Sequence, residues 1–457
     1  MLIISKLILL DRPLLWLIIA LGFNLFICIV TAMSLIVAGE AVKDGINATA
    51  LISFREIQRT NTGLDSWIPM IKAYKNHSEG STIYSVFFKD KIKFQYPPSS
   101  LFLLNLFPSD LLNLEDEKKR EQLRSTVGKL SIACLLFTII ISVLILEVGI
   151  YQYKNGISFK ENKGLKFIPL RIIFCLMIGF TFYPLIKAHS LGQIQIYLNL
   201  LAALAIFFLI LNRHVLSGIC IGLCCLVKPQ FGLILLWSLF RRHWHFMFSM
   251  LSIIIIGFGL SILNFGWHNH IEYLEVLRTI SKHGETFWPN QTINGIMNRF
   301  LLTSDPVVWN SHQYAPYNVI VYYTTLISSL FILLVAFRQY RDSKRTANLI
   351  LIDFMIILLA ATIASPIAWE HHYGIIIPIS AALLPILLYV SPFGRWTAPL
   401  FAIGFSATAN VLLRPTLIFD NRWVGILGSH LFFGGIIIMI LMLAARSYLA
   451  NYSRQPL

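Results

Sequence analysis

Apolar runs of membrane-crossing length recur along the chain, near 13–38, 130–149, 167–186, 192–211, 215–240, 246–266, 317–337, 348–364, 374–390, 397–414 and 424–445. A helix rises 1.5 Å per residue, so about 20 apolar residues are needed to cross the roughly 30 Å hydrocarbon layer of a bilayer. Short connectors rich in basic residues mark the cytoplasmic side of such a chain. Here they are Lys6/Arg12, Lys154/Lys160/Lys163/Lys166, Arg213, Arg241/Arg242, Arg338/Arg341/Lys344/Arg345, Arg395 and Arg446/Arg454. Long loops weigh little in that rule, so the lysines between 39 and 129 do not set the orientation.

The run 215–240 decides the topology. It follows Asn212-Arg213-His214 and ends at Arg241-Arg242-His243, so both its flanks read as cytoplasmic. A single crossing would invert everything after it. Two short helices broken at Lys228-Pro229 keep the pattern consistent, because proline interrupts a helix and a lysine at mid-membrane is costly. The expected fold is therefore all-α and polytopic, a single integral membrane domain over 1–457. It has about twelve transmembrane segments, both termini inside, and large outer loops at 39–129 and 267–316. Short outer turns fall at His189–Gln193, Ser365–His372 and 415–423. Within the first loop, Trp67 to Tyr74 and Leu101 to Phe107 predict helices lying on the membrane surface.

Composition supports a bilayer as the solvent. Hydrophobic residues make up 56% of the 457 positions and charged residues 13%, against roughly 25% charged in soluble chains. The net charge of +15 does not indicate nucleic acid, because many of the Lys and Arg flank apolar runs. The first run, from about Pro13 to Ala38, exceeds the roughly 7–15 residues of a signal-peptide core, so it is expected to stay as a helix despite the cleavage-like Val37-Ala38-Gly39. The six cysteines all lie in apolar runs, and the trio Cys220, Cys224, Cys225 has no His or acid beside it, so packing is expected rather than metal. No cofactor is expected.

Several polar groups stand out at the outer boundary. Asp65, in TGLDSWIPMIKAYK, suits a general base for a hydroxyl. It equally suits the N-cap of a helix starting at Trp67, and position alone favours the cap. Tyr96 opens a Tyr-Pro-Pro element that fixes extended chain. Gln193 and Asn199 lie on a helix where amides are costly unless they face a cavity or hydrogen-bond another helix. Lys228 at its hairpin tip can hold a phosphate as a point charge, or can snorkel to the surface. In WPNQTINGIMNRF, Asn290, Gln291, Asn294 and Arg299 offer donors for sugar hydroxyls or a phosphate. In SPIAWEHHY, Trp369 suits interfacial anchoring, while Glu370, His371 and His372 need another reason. Adjacent histidines point about 100° apart on a helix, unlike the i, i+4 pair of a zinc site.

Taken in order, these pieces resemble glycosyltransferase family 87, the GT-C-fold enzymes that include polyprenyl-phosphate-mannose-dependent α-1,2-mannosyltransferases. The resemblance rests on an Asp after the first helix, Tyr96-Pro97-Pro98, Gly192-Gln193 with Asn199, Lys228-Pro229, Asn290 to Gly295 with Arg299, and Ser365-Pro366 with Trp369, His371 and His372. It implies that Asp65 is catalytic, reversing the preference for a cap. It also implies a polyprenyl-phosphate-linked sugar donor, inverting transfer to a glycolipid or glycan acceptor, and a bacterial plasma membrane with the site facing outwards. Lys228, His371, His372 and Arg299 would then bind the donor phosphate. Tyr96, Gln193, Asn199, Asn290, Gln291, Asn294, Trp369 and Glu370 would contact sugar or acceptor, and the prenyl tail would lie in a groove between helices. The charged insert Glu115 to Arg124 departs from the family pattern. Rival readings are a transporter or flippase of lipid-linked sugars, which should show charged core helices and symmetric halves, and a surface-polysaccharide polymerase or ligase.

Overall fold

The computed structural model describes residues 12–37, 56–57, 62–156, 167–338, 346–410, 426 and 428–452. The basic connectors at Lys6, Lys160/Lys163/Lys166, Arg341/Lys344/Arg345 and Arg454, the cleavage-like Ala38-Gly39 and the turn 415–423 lie outside the described residues. Within them the chain is helical, with one isolated β-bridge.

The helices are α1 (Arg12–Val37), α2 (Trp67–Ser78), α3 (Ser85–Phe88), α4 (Glu117–Gly156), α5 (Ile168–Phe180), α6 (Tyr183–Ser190), α7 (Gln195–Ile210) and α8 (His214–Cys225). They continue with α9 (Leu233–Phe240), α10 (Trp244–His283), α11 (Ile293–Phe300), α12 (Val319–Phe337), α13 (Ala347–Ile363), α14 (Ile376–Val390), α15 (Thr397–Ala409) and α16 (His430–Tyr452). Among the described residues, six helical stretches are each long and apolar enough to cross a bilayer, and α5 with α6 makes a seventh if that bent pair is one span. Shorter apolar helices lie at Gln195–Ile210, His214–Cys225, Pro229–Phe240 and Ala347–Ile363. The protein is thus an all-helical polytopic membrane protein.

The run 215–240 is two helices, as Lys228-Pro229 led us to expect. Lys228 has an extended backbone, and a 3-10 turn at Pro229–Gly232 leads into α9. Proline lacks the N–H that a continuing helix would need but suits the first turn of the next one. Three boundaries differ from the sequence reading. The run 167–186 bends by 53° between α5 and α6, where Pro184 sits in the first turn of a new helix. The apolar run ending at Gly266 continues as helix to His283, beyond a kink at which Gly266 takes φ 74°, a left-handed geometry that glycine accepts without steric penalty. The charged insert Glu115 to Arg124 is no loose loop, because α4 starts at Glu117 and carries i, i+3 pairs Glu117–Arg120 and Glu121–Arg124.

The two large loops meet. Lys93 and Glu285 form a buried ion pair at 2.5 Å, and the Asn269 side chain accepts from the Ile83 N–H at 2.8 Å. Helix α2 begins at Trp67 and buries that residue edge-on against Phe107 and Tyr197. The expected helix at Leu101 to Phe107 is a 3-10 turn over Pro98–Leu106. At the centre, the membrane-length stretch within Glu370–Val390, which ends in α14, is 83% buried, against 22% for α12, which faces outwards. α1 is integrated in this bundle: Asn24 accepts from Asn410, and the Cys28 thiol donates to the same Asn410 at 3.1 Å. Opposite the loops, Asp353 is clamped by Arg241 and Arg446, which neutralises a carboxylate that would be expensive alone in a membrane core.

Candidate active site at the loop face

Backbone pairing places Asp65. The Gly63 and Asp65 N–H groups donate to the Ser190 and Leu191 carbonyls at 2.9 and 3.1 Å. This approach requires glycine on both sides: a Cβ on Gly63 would meet the Leu191 carbonyl, and Gly192 has φ 62° with the Gly63 carbonyl against it. The N-cap of α2 is Ser66, without a side-chain cap bond. Asp65 is therefore not the cap; its carboxylate accepts from the Gln193 amide. Gln193 in turn accepts from the Ser66 hydroxyl at 2.7 Å, and Ser66 meets the Tyr96 hydroxyl at 3.1 Å. Asp65, Gln193 and Tyr96 thus share one network.

The Asp65 side chain is solvent-accessible. Burial raises its carboxyl above the usual aspartate range, while the Gln193 hydrogen bond and the Lys187 charge pull the other way.

A second network lies two residues along the same turn. Lys228 Nζ donates to Gln195 Oε1 at 2.7 Å and meets His372 Nε2 at 2.7 Å. Gln195 donates to Asn199 at 2.9 Å. With Lys228 protonated, the ammonium only donates, so His372 Nε2 is the acceptor and its proton sits on Nδ1. That Nδ1 is buried without a protein partner, as are His371 Nε2 and Glu370 Oε1. His371 stands edge-on to His372, with ring centroids 4.8 Å apart. Glu370 accepts from the Tyr183 hydroxyl at 3.2 Å. Since Gln193 and Gln195 are two residues apart, the linked side chains bound the Asp65–Lys228 separation to at most about 20 Å.

The amide-rich stretch is hydrogen-bonded largely to the protein itself. Asn290 pairs with Trp369 in the β-bridge, its side chain donating to the Glu285 and Pro366 carbonyls and accepting from the Ala368 N–H. Gln291 bonds to the Trp288 and Gly428 carbonyls and the Leu431 N–H. Asn294 accepts from the Glu285 N–H and from Asn298, and donates to Thr325. Arg299 donates to the Asn290 carbonyl at 3.0 Å and to Ser429 at 2.5 Å. Each is fully or almost fully buried with most of its hydrogen-bonding capacity engaged by protein. Together they form the scaffold behind the turn Glu370–Ile375, and Tyr373 adds a bond to the Gln291 carbonyl at 2.5 Å. Trp369 faces Phe287 and Trp309.

Sequence reasoning passed over Ser66, Tyr183 and Lys187. The signal for the last two was present: Lys187 is a lone cation at the outer end of an apolar run, one turn from Tyr183 on the same helical face.

The described residues define a helical membrane protein with a carboxylate and a buried lysine–histidine cluster at one boundary of the bundle. The chain belongs to glycosyltransferase family 87, whose profile matches residues 94–366; it is a membrane glycosyltransferase. The matched span includes Tyr96, Gln193, Lys228 and Asn290 to Arg299, starts after Asp65 and ends before Glu370–His372. No curated protein matches the chain.

Proposed function

We propose that this glycosyltransferase moves one sugar, a hexose such as mannose or a pentose, from a polyprenyl-phosphate donor to a hydroxyl of a glycolipid or glycan. The reaction inverts the anomeric carbon and takes place on the outer face of a bacterial plasma membrane. The observation that carries this reading is Lys228, a buried amine whose contacts, Gln195 and His372, are both neutral. A buried charge with no counter-charge is expensive, so an anionic ligand is the natural partner of this cluster. A phosphate also accepts what His372 offers, a buried Nδ1–H without a protein partner.

Asp65 is the general base in this reading. It takes the proton of the acceptor hydroxyl as that oxygen attacks the anomeric carbon. The bond from that carbon to the phosphate oxygen breaks in the same step, and the leaving phosphate's charge grows from −1 towards −2. Lys228 and His372 receive that charge as preorganised donors, with His371 beside them. Arg299 acts at one remove, fixing the Asn290–Trp369 pair from which the histidine turn hangs. The prenyl tail has an apolar place between α1, α4, α5, α14 and α15, in a cavity lined by Ile139, Ile178, Ile377, Leu384, Phe401 and Phe405.

Asp65→Asn tests the reading directly. With labelled polyprenyl-phosphate mannose as donor and a bacterial lipid extract as acceptor, the variant should fold normally and lose transfer. Substantial residual turnover overturns the assignment of the base.

A further inference from the structure

Where the two large loops meet, an aromatic cluster stands outside the chemistry described above. Trp309 lies in the exposed stretch Val308 to Gln313, with 42% of its surface open. Its ring packs against Phe287 and Trp369, with centroids 5.3 and 5.4 Å away, and Phe287 also reaches Trp369 at 6.4 Å. The two indoles cross at 77°, so they make a corner rather than a stack.

The Trp309 ring is held from several sides. Lys93 Nζ lies 4.0 Å from its centroid and 4.6 Å from that of Tyr314, while the same ammonium pairs with Glu285 at 2.5 Å. Gln95 donates to the Tyr314 hydroxyl at 2.8 Å. Asp305 accepts from the Val307 and Val308 N–H groups, and Asn310 accepts from those of His312 and Gln313. An indole fixed in this way loses little conformational freedom when a ligand settles on it. The cation accounts for the part of the ring that Lys93 covers, but gives no reason to leave the rest open.

Trp369 ties this cluster to the histidine turn. It directly precedes Glu370, and its carbonyl accepts from the His372 N–H at 2.8 Å. A glycan lying on Trp309 would therefore run close to the Lys228–His372 pair. A pyranose has C–H groups on its faces and hydroxyls on its rim. The C–H groups suit the electron-rich face of an indole, and the hydroxyls suit amide, hydroxyl and imidazole groups. Asn310, Ser311, His312 and Gln313, all exposed directly after Trp309, supply those groups. An indole anchored in the headgroup layer keeps company with apolar and basic side chains; beyond Val308, the exposed neighbours here are polar and include no Lys or Arg.

We propose that Trp309, backed by Trp369 and Phe287, is a subsite on which a hexopyranose ring of the glycan acceptor stacks. This rests on the reading of the protein as a transferase to a glycan. The subsite holds the acceptor from the water side while its hydroxyl reaches the reaction centre; no bond is made or broken there.

The test uses the full chain in lipid nanodiscs, with Trp309→Ala and Trp309→Phe. Saturation-transfer NMR with mannotriose, maltotriose and chitotriose, in the absence of donor, reads binding directly. At least one should bind, with affinity about tenfold lower in Trp309→Ala. Trp309→Phe keeps a ring over Lys93, should lose about threefold, and serves alone if the alanine variant unfolds. In transfer assays on a bacterial lipid extract, Trp309→Ala should need about tenfold more acceptor for half-maximal rate, with the donor KM unchanged. Absence of binding by all three saccharides, or equal binding by the variants, overturns the subsite. So does quenching by brominated lipid of the fluorescence that Trp309→Phe lacks, which would place the indole in the bilayer. Transfer by Asp65→Asn overturns the base assignment and leaves the subsite standing, because saccharide binding is read without catalysis.

Discussion

Lys228 and His372 stand 144 residues apart in the chain, yet Nζ and Nε2 meet at 2.7 Å in the protein interior. The contact fixes the histidine tautomer and leaves a buried N–H available to an acceptor. It joins the tip of the α8–α9 hairpin to the turn before α14.

Removing the cation of this pair should impair use of the donor. Lys228→Met is expected to lower kcat/KM by about 10²–10³-fold, the usual loss for one preorganised charge-stabilising donor. Lys228→Arg should recover little, since a planar fork does not replace a compact ammonium in a closed site. Steady-state kinetics against donor concentration measure this, and a loss below tenfold would remove Lys228 from the phosphate site.

Burial raises the Asp65 carboxyl, and a base works only in its deprotonated form. Activity should therefore fall off on the acidic side at a higher pH than the usual aspartate value of about 4. The limb belongs to the free enzyme and is read from kcat/KM against pH. A limb at or below that value would mean that the hydrogen bond and Lys187 outweigh burial.

Gly192 combines a φ of 62° with the Gly63 carbonyl against its Cα. Alanine there meets both a left-handed backbone penalty of about 1–2 kcal/mol and a backbone collision. Gly192→Ala should displace the Asp65–Gln193 pair and lower transfer at least tenfold, with a smaller effect on melting temperature. Equal losses in both would assign the glycine to stability alone.

The Lys93–Glu285 pair is tested by a double-variant cycle. Lys93→Met leaves Glu285 buried without its cation and should destabilise the loop face by about 3–5 kcal/mol. Adding Glu285→Gln should return much of that. Thermal unfolding in detergent measures the cycle, and additive single effects would contradict coupling across the two loops.

The helices were legible because membrane solvation writes itself into long apolar runs, and the break at Lys228-Pro229 was legible because proline chemistry is local. Asp65, Gln193, Lys228 and His372 stood out as polar groups that a membrane boundary makes costly. The amides of 290–299 stood out in the same way, but many of their partners are backbone groups, which have no signature in sequence. Only packing shows Asn290, Gln291 and Arg299 to be the frame of the site. The kink at Gly266 and the helical continuation to His283 were likewise hidden, since a glycine alone does not say whether helix resumes after it.

What the sequence by itself determined is the class of protein, its run of helices and its family, because these follow from composition, period and ordered motifs. The tertiary structure decided which polar residues face each other. Asp65 takes Gln193 rather than the start of α2, Lys228 takes His372, and Tyr183 takes Glu370. Such pairings join residues more than a hundred positions apart, and close helix packing, not local propensity, sets those distances.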